Sequence, residues 1–304
     1  MKTLSIISDF LIRTNAKFWS QKNSVEARME INYNLKKNYI EDLVLSGKFW
    51  GGVTSERYTN NDIVVSLTTH GNRLNYVHLA IASIMLQTMK ANRIILWLSN
   101  EFEKSELPYM LKQLIRYGLE IKFTHDIRSY TKLIPTLKLC PQDTIVTIDD
   151  DMIYDVCLLE HLINAHLANP NCIYGTRCHR ITMEGSSIAP YLDWNMEINN
   201  SEESTLIFPT GVGGVLYPPN SLDEEVFNEE VFLNICPTTD DIWFKVMSLK
   251  KGSMTGKAVS TNELGKDYYE RLSFEKTGLM SHNLKDDVNG KNLRMLLTKY
   301  NLSL

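Results

Sequence analysis

From Asp62 onward, short apolar runs alternate with segments whose hydrophobic residues recur three and four positions apart. That rhythm predicts strands alternating with helices. Residues 63–67, 93–98, 119–124 and 144–148 read as strands. The first and last of these are short β-branched runs of the kind buried in parallel sheets. Between them, residues 74–86 place Leu74, Val77, His78, Ile81, Ile84 and Met85 at helical spacing. Residues 105–117 form a helix opened by a serine cap and closed at Gly118, and a short helix spans about 129–139 with Pro135 in it or at its start. Repeated strand–helix units imply a parallel sheet with right-handed crossovers.

Before this alternation, residues 26–37 and 39–45 have helical patterning, ended by Gly51-Gly52. After it come a helix over 156–168 and a strand over 172–175. Residues 180–208 are polar and irregular, and a long excursion of that kind is usually a functional loop. Residues 211–219 form a glycine-rich turn or strand closed by two prolines. Thr239 or Asp240 caps a helix through Trp243, Phe244 and Met247, a strand lies near 257–261, and a leucine-rich helix covers 293–300. Neither internal repeats nor low-complexity tracts interrupt this order.

The bulk composition narrows the class. With 304 residues, 43% hydrophobic and 22% charged, the chain is long enough for one large α/β domain or two small ones. A formal net charge of −4 supplies no global basic field, so nucleic acid is not an expected partner. Five scattered cysteines without a CxxC pair argue against zinc clusters and a disulfide framework and fit a reducing cytoplasm. No run of 18 apolar residues suggests a spanning helix, and Asp9 and Arg13 spoil any secretory signal. Residues 4–19 form an amphipathic stripe with Leu4, Ile7, Leu11 and Phe18. Its commoner fate is packing on the domain, and its other is peripheral contact with the inner face of a membrane.

The candidate chemistry gathers at predicted strand ends. Asp149, Asp150 and Asp151 follow the strand Thr144 to Ile148. Three carboxylates at a half-buried site each raise the cost of ionising the others, so a cation belongs there. Hard divalent ions such as Mg²⁺ or Mn²⁺ prefer carboxylate oxygens, and ligands of open α/β sheets bind at this edge. The plainer readings are a solvated acidic turn, a helix cap, or ion pairs with lysine or arginine. The first strand exits into Thr68-Thr69-His70-Gly71-Asn72-Arg73, residue types that suit a ribose or phosphate as well as an ordinary turn. Lys132, at another strand exit, can neutralise phosphate, although surface lysines are commoner. Asp240-Asp241 form a second acidic pair at a helix start; capping explains one of them, and a base facing substrate explains the other. Gly211-Val212-Gly213-Gly214 is neither GxGxxG nor a Walker loop; its glycines allow close approach of backbone to a sugar or another strand. Tyr191 and Trp194 suit stacking on a sugar or plain loop packing.

In this order of elements the chain resembles bacterial sugar-nucleotide-dependent glycosyltransferases of the GT-A fold, of the kind found in surface-polysaccharide synthesis, over roughly residues 60–290. Asp149-Asp150-Asp151 is similar to their DXD motif, and Ser83 to Thr88 to a helix end in family-2 enzymes. The resemblance implies an α/β, Rossmann-like, mostly parallel sheet flanked by helices. It implies a helical extension over 1–60 and a GT-A domain over 61–304, divided into a nucleotide-sugar half (61–155) and an acceptor half with the C-terminal helix (156–304). Mn²⁺ or Mg²⁺ would be held by Asp149 and Asp151, with His282 as a third ligand. A donor, expected to be a UDP-sugar, would meet Thr68, Thr69, Arg73, Lys132, Asp149 and Asp150. Asp241, beside Asp240, would be the base of an inverting transfer to a saccharide or lipid-linked saccharide. Ile242-Trp243-Phe244-Lys245 departs from the family-2 pattern, and three consecutive aspartates also occur in exostosin-type retaining enzymes. Two alternatives share the same edge: a metal-dependent phosphoester hydrolase or nucleotidyltransferase, and a non-catalytic nucleotide- or carbohydrate-binding protein. Oligomeric state is not legible.

Overall fold

The structure is a computed structural model that describes residues 27–103, 106–185, 187–200, 202–259, 266–270 and 287–304. The expectations for His282 and for the stripe over 4–19 lie outside these residues. The chain opens with helix α1 (27–45). Strands β1 (Ile63–Thr68), β2 (Arg93–Ser99) and β3 (Leu119–Thr124) follow, separated by helices α2 (His78–Met85) and α3 (Tyr109–Ile115). Helix α4 (Ile134–Leu139), with Pro135 in its first turn, leads into β4 (Thr144–Thr147). Beyond it lie β5 (Met152–Tyr154), α5 (Leu158–Ala168) and β6 (Ile173–Gly175). The stretch expected to be irregular contains β7 (Cys178–Arg180), β8 (Met183–Glu184), β9 (Ser187–Ile188), β10 (Glu203–Ser204) and β11 (Ile207–Pro209). The chain then passes through β12 (Val215–Tyr217), α6 (Glu229–Ile235), α7 (Asp240–Lys251), β13 (Thr255–Lys257), β14 (Tyr268–Glu270) and α8 (Val288–Tyr300).

One eight-stranded sheet orders these strands as β10-β13-β6-β12-β4-β1-β2-β3. Parallel pairing joins β3, β2, β1 and β4, as the alternating pattern predicts. Strand β12 runs antiparallel between β4 and β6, and β10 antiparallel to β13. Six strands therefore point one way and bring their C-terminal ends to one edge. The reversed strand matters most. Val215 lies opposite Thr147 and Tyr217 opposite Ile145, so the glycine loop that enters β12 runs beside the acidic residues that leave β4.

Alternation within the strands assigns residues to two cores. Ile63, Val65, Leu67, Ile94, Leu96, Val146 and Ile148 face α2, α3 and α5. Helix α1 joins this core through Tyr33, Ile40 and Val44. Ile145, Val215 and Tyr217 face the opposite core, built from α7, α8 and the α4 region. Burial on both faces explains why these strands read as continuous apolar runs.

Local differences from expectation have simple causes. Helix α3 starts at Tyr109 because Pro108 precedes it. The segment 74–86 divides into a 3₁₀ turn, Gly71–Asn75, and α2. Thr239 precedes α7 without capping it; its hydroxyl instead accepts from Asn292 Nδ2 at 2.9 Å. The strand expected near 257–261 ends at Lys257. Tyr191 and Trp194 are buried around Phe208, which corrects the sugar-stacking expectation in favour of packing. Among the described residues, no helix is long and apolar enough to cross a membrane.

Trp243 anchors α7. It is fully buried, packs its ring against Phe232 and donates Nε1–H to the Val226 carbonyl at 3.1 Å. Trp243→Ala is expected to cost ~3–5 kcal/mol, read from urea unfolding. A loss below about 1 kcal/mol would mean that α7 is held by other contacts.

Candidate active site

The site starts where β1 and β4 end. Gly71 has φ +53, a left-handed turn that glycine adopts without strain, and the short 3₁₀ segment behind it carries Arg73. Arg73 Nη1 lies 2.8 Å from Asp150 Oδ1 and 3.1 Å from Asp151 Oδ2. Thr69 donates its hydroxyl to Asp150 Oδ2. The neighbouring Thr68 does not join them; its hydroxyl donates to the Trp97 carbonyl at 3.0 Å, within the sheet.

A second cation sits on the other side of the triplet. Lys132, nearly inaccessible, places Nζ 3.0 Å from Asp149 Oδ1 and 3.0 Å from Asp240 Oδ2. The Asp240 oxygen lies at ion-pair distance but outside hydrogen-bonding geometry. Asp241 Oδ2 accepts the backbone N–H of Gly211 at 3.0 Å. A Cβ on Gly211 would lie 2.5 Å from Lys132 Nζ and 3.1 Å from Asp241 Oδ1. Only glycine lets the loop close on this cluster.

Two further groups hold the frame. The Tyr154 hydroxyl accepts the Asp149 N–H at 2.8 Å and donates to the Val212 carbonyl at 3.3 Å, tying triplet to glycine loop. Ser83 Oγ accepts the Tyr154 N–H at 3.0 Å, and Gln87 Nε2 donates to the Asp155 carbonyl at 2.6 Å. The helix end Ser83 to Thr88, singled out in the sequence, thus grips the segment just after the triplet. Neither Tyr154 nor Gly211 carries a sequence signal of its own as a site residue. The glycine cluster at 211–214 was the available clue.

Charge decides what this arrangement can do. Five carboxylates (Asp149, Asp150, Asp151, Asp240 and Asp241) converge on two cations, Arg73 and Lys132. Burial would lower the pKa of each cation, but the surrounding aspartates outweigh it and raise both. The excess negative charge appears on the acids. Burial and Asp149 push Asp151 up to about 6. Burial and Asp240 push Asp241 up to about 7.

All three members of the triplet are paired with Arg73 or Lys132, so the plainer ion-pair reading of the cluster holds in this structure and a metal ion is not required to make three adjacent carboxylates tolerable. Among the described residues, no three acidic, histidine or cysteine side chains are arranged to cage a metal ion. Mg²⁺, however, is commonly held by one or two carboxylates plus substrate phosphates. Asp149 and Asp151 are the more open members of the triplet, with side chains 30% and 21% exposed, whereas Asp150 is 6% exposed and already bonded. Two accessible carboxylates, an all-oxygen donor set and uncompensated negative charge fit a hard divalent ion arriving with a phosphate-bearing ligand.

No family model matches the chain. No curated protein matches it either. Solved structures give low-level similarity. The inositol-1-phosphate CTP transferase from T. maritima is 8% identical over 76% of this chain and 97% of its own, with a TM-score of 0.42. A CMP-2-keto-3-deoxy-manno-octonic acid synthetase bound to CTP is 10% identical over 66% and 89%, with a TM-score of 0.39. The glucosyl-3-phosphoglycerate synthase from Mycobacterium tuberculosis, with Mn²⁺, UDP and phosphoglyceric acid, is 17% identical over 42% and 50%, with a TM-score of 0.30. Scores this low decide nothing about activity or ligands.

Two outcomes follow from the geometry. Gly211→Ala is expected to displace Lys132 or Asp241 and cost ~1–3 kcal/mol in chemical unfolding, because the new methyl overlaps an ammonium that cannot leave its carboxylates cheaply. The raised pKa of Asp241 sets a pH dependence. Its folded form keeps a proton that the unfolded chain releases, so stability falls as pH rises from about 4 to 7. Asp241→Asn should remove that slope. In EDTA, its melting temperature relative to the parent should be higher at pH 8 than at pH 5; an unchanged difference would contradict the assigned burial and repulsion.

Proposed function

We propose that the chain is a metal-dependent glycosyltransferase of the GT-A type, moving a sugar from a nucleoside-diphosphate donor to a saccharide or lipid-linked saccharide acceptor. One observation carries this reading. Two acidic groups from distant parts of the sequence, Asp149–Asp151 and Asp240–Asp241, meet at the C-terminal edge of a mainly parallel sheet, joined by Lys132.

Asp149 and Asp151 would hold Mn²⁺ or Mg²⁺, which supplies Lewis-acid stabilisation of the departing diphosphate when bound. Arg73 and Lys132 orient the phosphates and balance their charge. Asp150, bonded to Thr69 and Arg73, fixes the position of the triplet rather than contacting the ion. Asp241 acts as the base. Gly211 N–H holds its Oδ2, which leaves Oδ1 to take the proton of the acceptor hydroxyl. An acidity near neutrality suits that task, because the group can both accept and release a proton at working pH. A base on the acceptor side corresponds to inversion at the sugar carbon. UDP is the nucleotide to test first.

Turnover of UDP-, GDP- and CDP-sugars should be measured with Mn²⁺, with and without saccharide acceptors. Nucleoside diphosphate release that depends on acceptor and is abolished by EDTA is the expected result. Asp149→Ala with Asp151→Ala should reduce turnover roughly 10²-fold or more, since the ion's stabilisation is worth several kcal/mol. Asp241→Asn should lower kcat about 10²- to 10⁴-fold. Full activity of the double variant, or cleavage that ignores the acceptor, would overturn the transferase reading.

A further inference from the structure

Asp240 and Asp241 stand in the first turn of α7, and no side-chain cap fixes that turn. Thr239 occupies the capping position, where a threonine hydroxyl commonly accepts a backbone N–H of the first turn, yet it makes no such bond. Three bonds from distant parts of the chain hold the stretch 236–239 instead. The Tyr130 hydroxyl donates to the Cys236 carbonyl at 2.5 Å. Arg128 Nη1 donates to the Pro237 carbonyl at 3.1 Å. Asn292 of α8 donates to the Thr239 hydroxyl.

Two of the three donors come from one short 3₁₀ turn, Arg128–Lys132, whose last residue is the lysine between Asp149 and Asp240. That turn meets the second acidic group through the charge of Lys132 on Asp240, and through Tyr130 and Arg128 on two carbonyls just before it. Tyr130 has no freedom to move. It is fully buried, its ring stacks on Phe232 at 4.0 Å between centroids, and it meets Phe244 edge-on at 5.7 Å. Arg128 has φ +61, in the left-handed region that non-glycine residues rarely adopt. Strain of this kind persists where the surroundings impose it, and it clusters at functional sites. The Cys236 carbonyl also accepts the Thr239 N–H at 3.1 Å, so it has a partner without the Tyr130 hydroxyl. The Tyr130 bond therefore does more than satisfy a buried carbonyl: it fixes where α7 begins.

We infer that the turn Arg128–Lys132 is a positioning device: Tyr130 and Arg128 set the place of the Asp240–Asp241 pair relative to the acidic triplet, across the gap that Lys132 spans. The catalytic consequence rests on the transferase reading; the placement itself does not. Tyr130 and Arg128 are positioning residues that touch no reacting atom. The Gly211 N–H holds Asp241 Oδ2 at 3.0 Å, so a shift in the start of α7 lengthens that bond and turns the base away from the acceptor hydroxyl. A misplacement of about 1 Å can cost on the order of 10²-fold in rate.

The test uses three variants of the full chain. Tyr130→Phe keeps the ring and removes one hydroxyl. Arg128→Gly removes the clamp and suits the left-handed backbone, and Arg128→Lys keeps a donor on a long stem. Turnover is read with whichever of the UDP-, GDP- and CDP-sugars the parent uses best. Hydrogen exchange at the Gly211 amide is read without substrate, and folding by thermal unfolding. For Tyr130→Phe and Arg128→Gly the expected result is a kcat lower by about 10- to 10²-fold with KM for the donor unchanged, and faster exchange at Gly211. The melting temperature should stay the same in Tyr130→Phe and stay the same or rise in Arg128→Gly, since glycine relieves the strain. Arg128→Lys should restore most of the rate. A role in folding alone would lower the melting temperature and leave kcat of the folded protein intact. Unchanged exchange at Gly211, or an unchanged kcat, overturns the positioning role and leaves the transferase reading standing. If the parent turns over no sugar nucleotide, the transferase reading falls and the Gly211 amide alone decides: faster exchange in both variants upholds the placement of Asp241 by this turn, and unchanged exchange ends it.

Discussion

The structure turns on a charge imbalance. Five aspartates occupy one edge of the sheet, and the protein supplies two cations to meet them. Each cation is shared: Arg73 between Asp150 and Asp151, Lys132 between Asp149 and Asp240. Sharing keeps the edge folded without satisfying it. Burial and the remaining negative charge raise the pKa values of Asp151 and Asp241, so both hold their protons more tightly than free carboxylates, as expected of a place where more positive charge is accommodated.

That edge exists because of topology. Parallel pairing of β1, β2, β3 and β4 brings Thr69 and the triplet side by side. The reversal at β12 then delivers the glycine loop to the same place from the opposite direction. Gly211 closes the cluster because it has no side chain, and Tyr154 fastens the loop to the triplet backbone. The helix end at Ser83 and Gln87 holds the segment behind Tyr154. The backbone around the acidic residues is thus held by uncharged hydrogen bonds, most of them partly buried. The ion pairs of Arg73 and Lys132 add to that frame.

Much of this was legible beforehand. The four parallel strands, α2, α5 and α7 follow from periodicity, because burial on one or both faces leaves a pattern that survives in a single sequence. The acidic triplet and the second acidic pair stood out because buried carboxylates are costly and need a reason. Less was visible where short pieces are stabilised by partners far along the chain. Strand β5 is three residues long and pairs with β14, more than a hundred positions away. The irregular stretch carries five two- and three-residue strands that no local propensity announces. Tyr191 and Trp194 looked like sugar-stacking candidates, yet they pack around Phe208. An aromatic residue in a polar stretch has the same sequence appearance whether it faces a ligand or the interior.

The sequence by itself determined the type and order of the main elements and which residue types could carry chemistry, since hydrophobic period and carboxylate clustering are local properties of the chain. It did not determine which aspartates share a cation, that Thr69 rather than Thr68 reaches the triplet, or that Tyr33 of the first described helix packs into the main core. Those relations were decided by strand order, by the antiparallel insertion of β12 and by the packing of α1 on the core. They depend on distances between residues far apart along the chain, and such distances exist only once the chain has folded.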